Sequence, residues 1–302
     1  MRRLAIGIDI GGTRTKIGLV DLFAGEVIKC IIELTEKDSA RAFEQNMERA
    51  IEGLIRIANK EPVNGIGVGV SGFVWPNGKV DSTYGFIPFM EDYPLAEIIQ
   101  SKFAIPCKID NDARTIALGE ALYGQGKGYK RMLMITLGTG LGIGVTHDAK
   151  LVEQLPYAHM GGHIVITQND LTCYCGKNGC LESLVSATGI LIAGRRAGLK
   201  GDAENPLTVE NIFEASNRED ALAGAVVRQW LSFLKTGIAN YVNIYAPDMI
   251  VLGGGVSKGL KNYVPFLEDI NFLKPYKKYK VKISISELEE HSGILGSAAL
   301  FS

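Results

Sequence analysis

No stretch of this 302-residue chain has the roughly 18 consecutive apolar residues that a membrane-spanning helix needs. The nearest approach, Met132–Val145, is broken by four glycines and two threonines. Two arginines lie near the start, but the apolar run Leu4–Ile8 ends at Asp9, too short for the core of an export signal. Neither charge is in excess: 32 Lys and Arg face 33 Asp and Glu, a formal net charge of −1. A general nucleic-acid or membrane-surface binder would carry a basic surplus, so the balance argues against both. Proline is scarce at 10 residues, and there is no low-complexity tract or short-period repeat. Without an export signal the expected compartment is a reducing cytoplasm, where cysteines more often bind metal or fill a core than form disulfides.

Glycine and cysteine are what the chain does have, 36 and 5 residues, in a background that is 46% apolar and long enough for two domains. Leu4–Ile10, Thr15–Asp21 and Glu26–Leu34 read as three strands joined by tight turns. That opening differs from a dinucleotide-binding fold, in which the first strand feeds directly into a helix. Ser39 predicts the N-cap of an amphipathic helix through Asn59, with Phe43, Met47, Ala50, Leu54 and Ile57 near helical spacing. Ile66–Val70, Cys107–Ile109 and Met249–Leu252 read as further strands, and Leu95–Phe103 and Ala113–Leu122 as helices. Trp75–Pro88 reads as loop. From Met132 the opening pattern returns: strand, glycine-threonine turn, strand through Thr146. The echo predicts two related domains, each with a glycine hairpin.

Those hairpins carry the first chemistry. Asp9-Ile10-Gly11-Gly12-Thr13-Arg14-Thr15-Lys16 joins a carboxylate at a strand end to two glycines, a hydroxyl and a cation. Glycines let backbone N–H groups converge on a phosphate, and Asp9 is placed to hold a hydrated Mg²⁺. An ordinary hairpin turn is the alternative. The second hairpin, Gly138-Thr139-Gly140, repeats the chemistry, and Gly253-Gly254-Gly255 would let a backbone approach a flat nucleoside. The pattern Gly67–Gly72 also spells G-x-G-x-x-G, but Phe73-Val74-Trp75-Pro76 follows it where a dinucleotide site needs a helix.

Asp110-Asn111-Asp112 stands between a strand and a helix, where a carboxylate is either a cap or, in phosphoryl transfer, the acceptor of the attacking hydroxyl's proton. His163, Cys173, Cys175 and Cys180 give H-x9-C-x-C-x4-C, a donor set for tetrahedral Zn²⁺ with no open position, hence structural. Cys30 and Cys107 lie in apolar strands and read as core.

In order along the chain, Asp9–Lys16, Asn111-Asp112, the second hairpin, Gly162-His163 with the cysteine block through Glu182, and Gly253–Gly255 resemble the ROK sugar kinases. The resemblance implies an actin/hexokinase-like, ribonuclease H-like α/β fold: a domain over 1–115, to which a helix near 291–302 returns, a domain over 116–290 with the zinc motif, and a cleft between them. It implies Asp112 as general base and Gly72, Asn111, His163 and Glu182 as sugar contacts. Asp9, Gly11, Gly12, Thr13, Lys16, Gly138, Thr139, Gly140, Gly254 and Gly255 would bind ATP and its Mg²⁺, and His163 with the cysteines would bind Zn²⁺. A homodimer or homotetramer is the expected assembly. The repressors of this family carry a DNA-binding module ahead of the first hairpin. Only Met1–Ile8 precede Asp9 here, so no nucleic-acid partner is expected.

Two departures bear on the substrate. Glucose-type members have Glu three residues before the zinc His, where this chain has Met160, and an Asn in a loop that here, over Tyr84–Pro94, has none. Loss of a buried acceptor relaxes selection for the hydroxyl it held. The expected acceptor is therefore a hexose-like polyol other than plain glucose: an inositol or inosose, a ketose or a modified sugar. Arg114 is either a replacement donor or a surface helix residue. A glucokinase proper and a non-catalytic sugar sensor are the alternatives.

Overall fold

The computed structural model describes residues 2–83, 85–153, 158–201, 206–273 and 276–302. The chain forms two compact units: Met1–Gly128 with Thr146–Tyr157 and Leu288–Ser302, and Tyr129–Val145 with Ala158–Glu287.

The first unit opens with strands β1 (Leu4–Ile10), β2 (Arg14–Asp21) and β3 (Glu26–Leu34), then helix α1 (Ala40–Ile57) and strand β4 (Val63–Val70). The two-residue strands β5 (Phe73–Val74) and β6 (Val80–Asp81), helix α2 (Leu95–Phe103), strand β7 (Cys107–Asn111) and helix α3 (Asp112–Tyr123) follow. The sheet order is β3-β2-β1-β4-β7, with β1–β3 an antiparallel meander and β4 and β7 parallel to β1. Strand alternation sorts the residues of β1 by face. Leu4, Ile6, Ile8 and Ile10 join one core with Phe43, Met47, Ile51 and Leu54 of α1, whose start is capped by the Ser39 side chain. Ala5, on the other face, joins Val20, Leu22 and the C-terminal Ile294, Leu295 and Ala298.

The second unit contains strand β8 (Arg131–Leu137) and β9 (Leu141–His147) through Val145; the last residues of β9 and strand β10 (Lys150–Leu151), which pairs with them, fall in Thr146–Tyr157 of the first. Helices α4 (Leu181–Val185), α5 (Ala187–Arg196), α6 (Val209–Asn217) and α7 (Ala221–Tyr245) precede strand β11 (Met249–Gly253). Helices α8 (Val264–Glu268) and α9 (Ile270–Leu273) and strand β12 (Lys282–Ile285) complete it. The sheet order is β10-β9-β8-β11-β12, with β11 parallel to β8 and β12. Thus β2-β1-β4-β7 and β9-β8-β11-β12 are the same arrangement: a hairpin whose first strand is continued by two parallel strands. Asp220 caps the long helix α7, which buries Trp230, Leu234, Ile238 and Tyr241. No helix among the described residues is long and apolar enough to cross a membrane.

The last helix, α10 (Ser292–Ala298), belongs to the first unit. It lies so close to the sheet that a Cβ on Gly7 would sit 1.9 Å from the Ile294 carbonyl oxygen, and one on Gly67 1.8 Å from that of Ser297.

Candidate active site

In the first unit, β1 ends at Asp9 and hands the chain to the turn Gly11–Thr13. The Gly11 N–H donates to the Arg14 carbonyl at 3.1 Å, and Thr35 closes the turn from behind. Its N–H reaches the Thr13 carbonyl at 3.0 Å and its hydroxyl the Gly11 carbonyl at 2.7 Å. Gly12 is covered by the Phe86 ring, which a Cβ there would strike. Lys16 stands opposite Asp9 across the hairpin, and its Nζ reaches the Glu290 carbonyl and carboxylate at 3.3 and 3.9 Å. The lysine predicted for phosphate therefore has an acidic neighbour on the chain itself.

Helix α3 starts where β7 ends, and Asn111 rather than Asp112 caps it. The Asn111 Oδ1 accepts from the N–H groups of Ala113 and Arg114 at 3.0 and 3.3 Å, while Nδ2 donates to the Gly72 carbonyl at 2.9 Å and bonds the Asp112 carboxylate. Asn111 and Gly72, both predicted sugar contacts, are thus tied to each other. Asp112 occupies the first helical position, and its carboxylate accepts from the Ala113 N–H at 2.8 Å, from its own N–H and from Asn111. Burial lifts its carboxyl above the ordinary carboxylate range, and these hydrogen bonds pull it back. Asp9 is pushed up to about 6, chiefly by burial, next by the charge of Asp112, with Lys16 lowering it. The two carboxylates lie close enough that the charge of Asp112 acts on Asp9. Arg114 is buried and gripped in a fork by Asp110, Nε to Oδ1 at 2.7 Å and Nη2 to Oδ2 at 3.2 Å. It is not on the surface: the ion pair joins the end of β7 to the first turn of α3.

In the second unit, the turn Gly138–Gly140 is closed by the Gly138 N–H on the Gly140 carbonyl at 2.9 Å, and the Gly138 carbonyl accepts from Ala187 at 2.8 Å. Thr139 is exposed. Gly254, at φ +84°, leads β11 past this turn so closely that a Cβ would meet the Leu137 carbonyl oxygen at 2.4 Å. A Cβ on Gly138 or Gly255 would meet nothing within 4 Å. Internal packing therefore does not require glycine at those two positions. Glu182, buried near the start of α4, accepts from the Leu141 N–H at 3.0 Å, so the hairpin and the cysteine block meet at this carboxylate.

The block itself brings together the ligand atoms of His163, Cys173, Cys175 and Cys180, all within 4.8 Å of one another. Cys173 Sγ lies 3.5 Å from His163 Nδ1, and Cys175 Sγ lies 3.6 Å from Cys180 Sγ. Tetrahedral Zn²⁺ with Zn–S bonds of about 2.3 Å sets its sulfurs about 3.8 Å apart, so the donor set and its spacing fit that ion. The fold around it is tight. Gly179, at φ +77°, passes so near Thr167 that a Cβ would sit 1.8 Å from its carbonyl oxygen. Met160, in the 3-10 turn Ala158–His163, is 47% exposed. Tyr84, which opens the loop lacking an Asn, lies outside the described residues. Sequence reasoning missed Thr35 and Tyr174. No motif marks the first, while the second is the spacer of the C-x-C pair.

A glucokinase of Halalkalibacterium halodurans is 35% identical over 275 residues, covering 85% of this chain and 81% of its own. A xylose repressor of Caldicellulosiruptor bescii is 29% identical, covering 98% of this chain and 77% of its own. The crystal structure of a ROK family glucokinase from Streptomyces griseus with glucose and AMPPNP superposes with a TM-score of 0.81 at 25% identity, over 98% of both chains. The ROK family model matches residues 5–302. The chain belongs to the ROK family and has the actin/hexokinase-like α/β fold of its glucokinases.

Proposed function

We propose that this chain is an Mg²⁺·ATP-dependent kinase that phosphorylates a hydroxyl of a hexose or hexose-like polyol. The observation that carries the reading is the division of labour at the start of α3. Asn111 takes the cap, which leaves the Asp112 carboxylate, with its raised affinity for a proton, available to a substrate. In the proposed step Asp112 accepts the proton of the acceptor hydroxyl. The alkoxide oxygen forms a bond to the γ-phosphorus, and the bond from that phosphorus to the β,γ-bridging oxygen breaks, releasing ADP. The backbone N–H groups of the two hairpins receive the phosphates, the edge at Gly254-Gly255 receives the adenosine, and His163 and Glu182 hold acceptor hydroxyls. Asp9 would hold the Mg²⁺, which when bound offsets phosphate charge. Zn²⁺ would sit on His163, Cys173, Cys175 and Cys180 with all four positions filled by protein, so it orients His163 and does no chemistry.

Met160 replaces a carboxylate with a thioether, which supports an acceptor other than plain glucose: an inositol, a ketose or a modified sugar. ADP release across hexoses, amino sugars, ketoses and cyclitols tests the whole reading. A zinc-loaded protein inert toward every acceptor and nucleotide would refute it. The xylose repressor relative supports a second reading, a sugar-binding regulator. Sugar binding without turnover would establish that one.

A further inference from the structure

Tyr174 lies between two of the zinc ligands in sequence, yet its side chain reaches the polar groups beside them. Its hydroxyl is 3.0 Å from His163 Nε2 and hydrogen-bonds the Glu182 carboxylate, and its ring stands edge-on to the imidazole at 5.0 Å between centroids. His163 Nδ1 faces the cysteine cluster, 3.5 Å from Cys173 Sγ. A histidine that ligates through Nδ1 carries its proton on Nε2, which makes Nε2–H a donor. The hydrogen bonds then run in one direction: Nε2–H donates to the Tyr174 oxygen, and the Tyr174 O–H donates to Glu182. A sugar hydroxyl on the same two residues would make the same pair of bonds.

We propose that the Tyr174 hydroxyl is an internal occupant of an acceptor-hydroxyl position on His163 and Glu182, and that the acceptor binds by displacing it. The proposal rests on the reading of those two residues as acceptor contacts. Displacement is local. Tyr174 is 57% exposed, and the backbone of its turn is pinned by Cys173 N–H on the Lys177 carbonyl at 2.8 Å and Gly176 N–H on the Cys173 carbonyl at 2.9 Å. The side chain can leave by rotation about its own bonds while the metal ligands stay in place. An acceptor hydroxyl that needs this position competes with the phenol, so Tyr174 lowers affinity for sugars that present a hydroxyl there and sets a threshold that weakly complementary sugars fail.

The experiment is isothermal titration of the full, zinc-loaded chain with D-glucose, D-fructose, N-acetyl-D-mannosamine and myo-inositol. Wild type is compared with Tyr174→Phe, which keeps the ring and removes the hydroxyl, and with Tyr174→Ala, which removes both. Zinc content and melting temperature establish that each variant is folded. The expected result is binding tightened roughly tenfold for the sugars that bind wild type, the scale of a hydrogen bond to a charged group. Unchanged or weakened binding in both folded variants, with wild type binding, overturns the proposal and leaves the acceptor site standing. Absence of binding to any of the three proteins overturns the acceptor site and the proposal together.

Discussion

Asp112 and Asn111 adjoin at one helix start, and their order decides which caps the helix and which is left for the proposed proton transfer. Had the carboxylate been the cap, the N–H groups of Ala113 and Arg114 that Asn111 now holds would have held it as a weak base; with Asn111 capping, its backbone partners are the N–H groups of Ala113 and of Asp112 itself. Asp112→Asn keeps the shape and removes the proton acceptor, so turnover falls by about 10²–10⁴ while nucleotide affinity stays intact, measurable as ADP release against nucleotide titration. Asp9 gives a pH signature in the ligand-free protein. Its folded pKa of about 6 lies above the ordinary value of 3.8, so the folded state holds the proton longer than the unfolded one. The linked stability is present at low pH and is lost as pH rises through about 4 to 6. Asp9→Asn flattens that decline and raises ligand-free stability at pH 7 by about 2 kcal/mol in chemical denaturation. A decline of equal depth in the variant would exclude Asp9 as its source.

At the scale of elements, the glycine hairpins are shaped by backbone hydrogen bonds within a few residues, but each is closed by something distant in sequence: Thr35 for the first, Ala187 and Glu182 for the second. The cysteine turn is the opposite case, with three clustered cysteines within eight residues and glycine at its tight approach to Thr167. Because His163 and Glu182 flank that turn, the proposed metal site and the proposed acceptor contacts are expected to stand or fall together. Stripping zinc with a chelator is expected to lower the melting temperature and weaken acceptor binding more than nucleotide binding, and added Zn²⁺ restores both. Cys175→Ser should reproduce the loss without rescue. Full zinc occupancy in Cys175→Ser, measured by elemental analysis, would remove it from the ligand set.

For the molecule as a whole, the first unit is assembled from three separate lengths of chain, and its second core is shared between β1–β2 residues and the final helix. Deleting 288–302 exposes Ala5, Val20 and Leu22 and takes away Ile294, Leu295 and Ala298, so the truncated chain is expected to lose the cooperative unfolding of that unit. A gentler probe is Gly67→Ala. Its methyl would fall 1.8 Å from the Ser297 carbonyl oxygen, which predicts a loss of about 3 kcal/mol in chemical denaturation. What was legible from sequence was local. Alternation in β1, the Ser39 cap, the two glycine turns and the H-x9-C-x-C-x4-C spacing are each set by hydrogen bonds and dihedral preferences over a few residues. These patterns determined the strands, the first helix, the repeat of the hairpin motif and the clustering of His163 with the three cysteines. Tertiary structure alone decided that Asn111 takes the cap and Gly72, that Asp110 holds Arg114, that Glu290 faces Lys16, and that the Tyr174 hydroxyl stands between His163 and Glu182. Helical or strand periodicity sets only the face on which a residue lies; which group meets it there depends on how close two backbones pass, and here glycines as far apart in sequence as Gly7 and Gly296 set that distance.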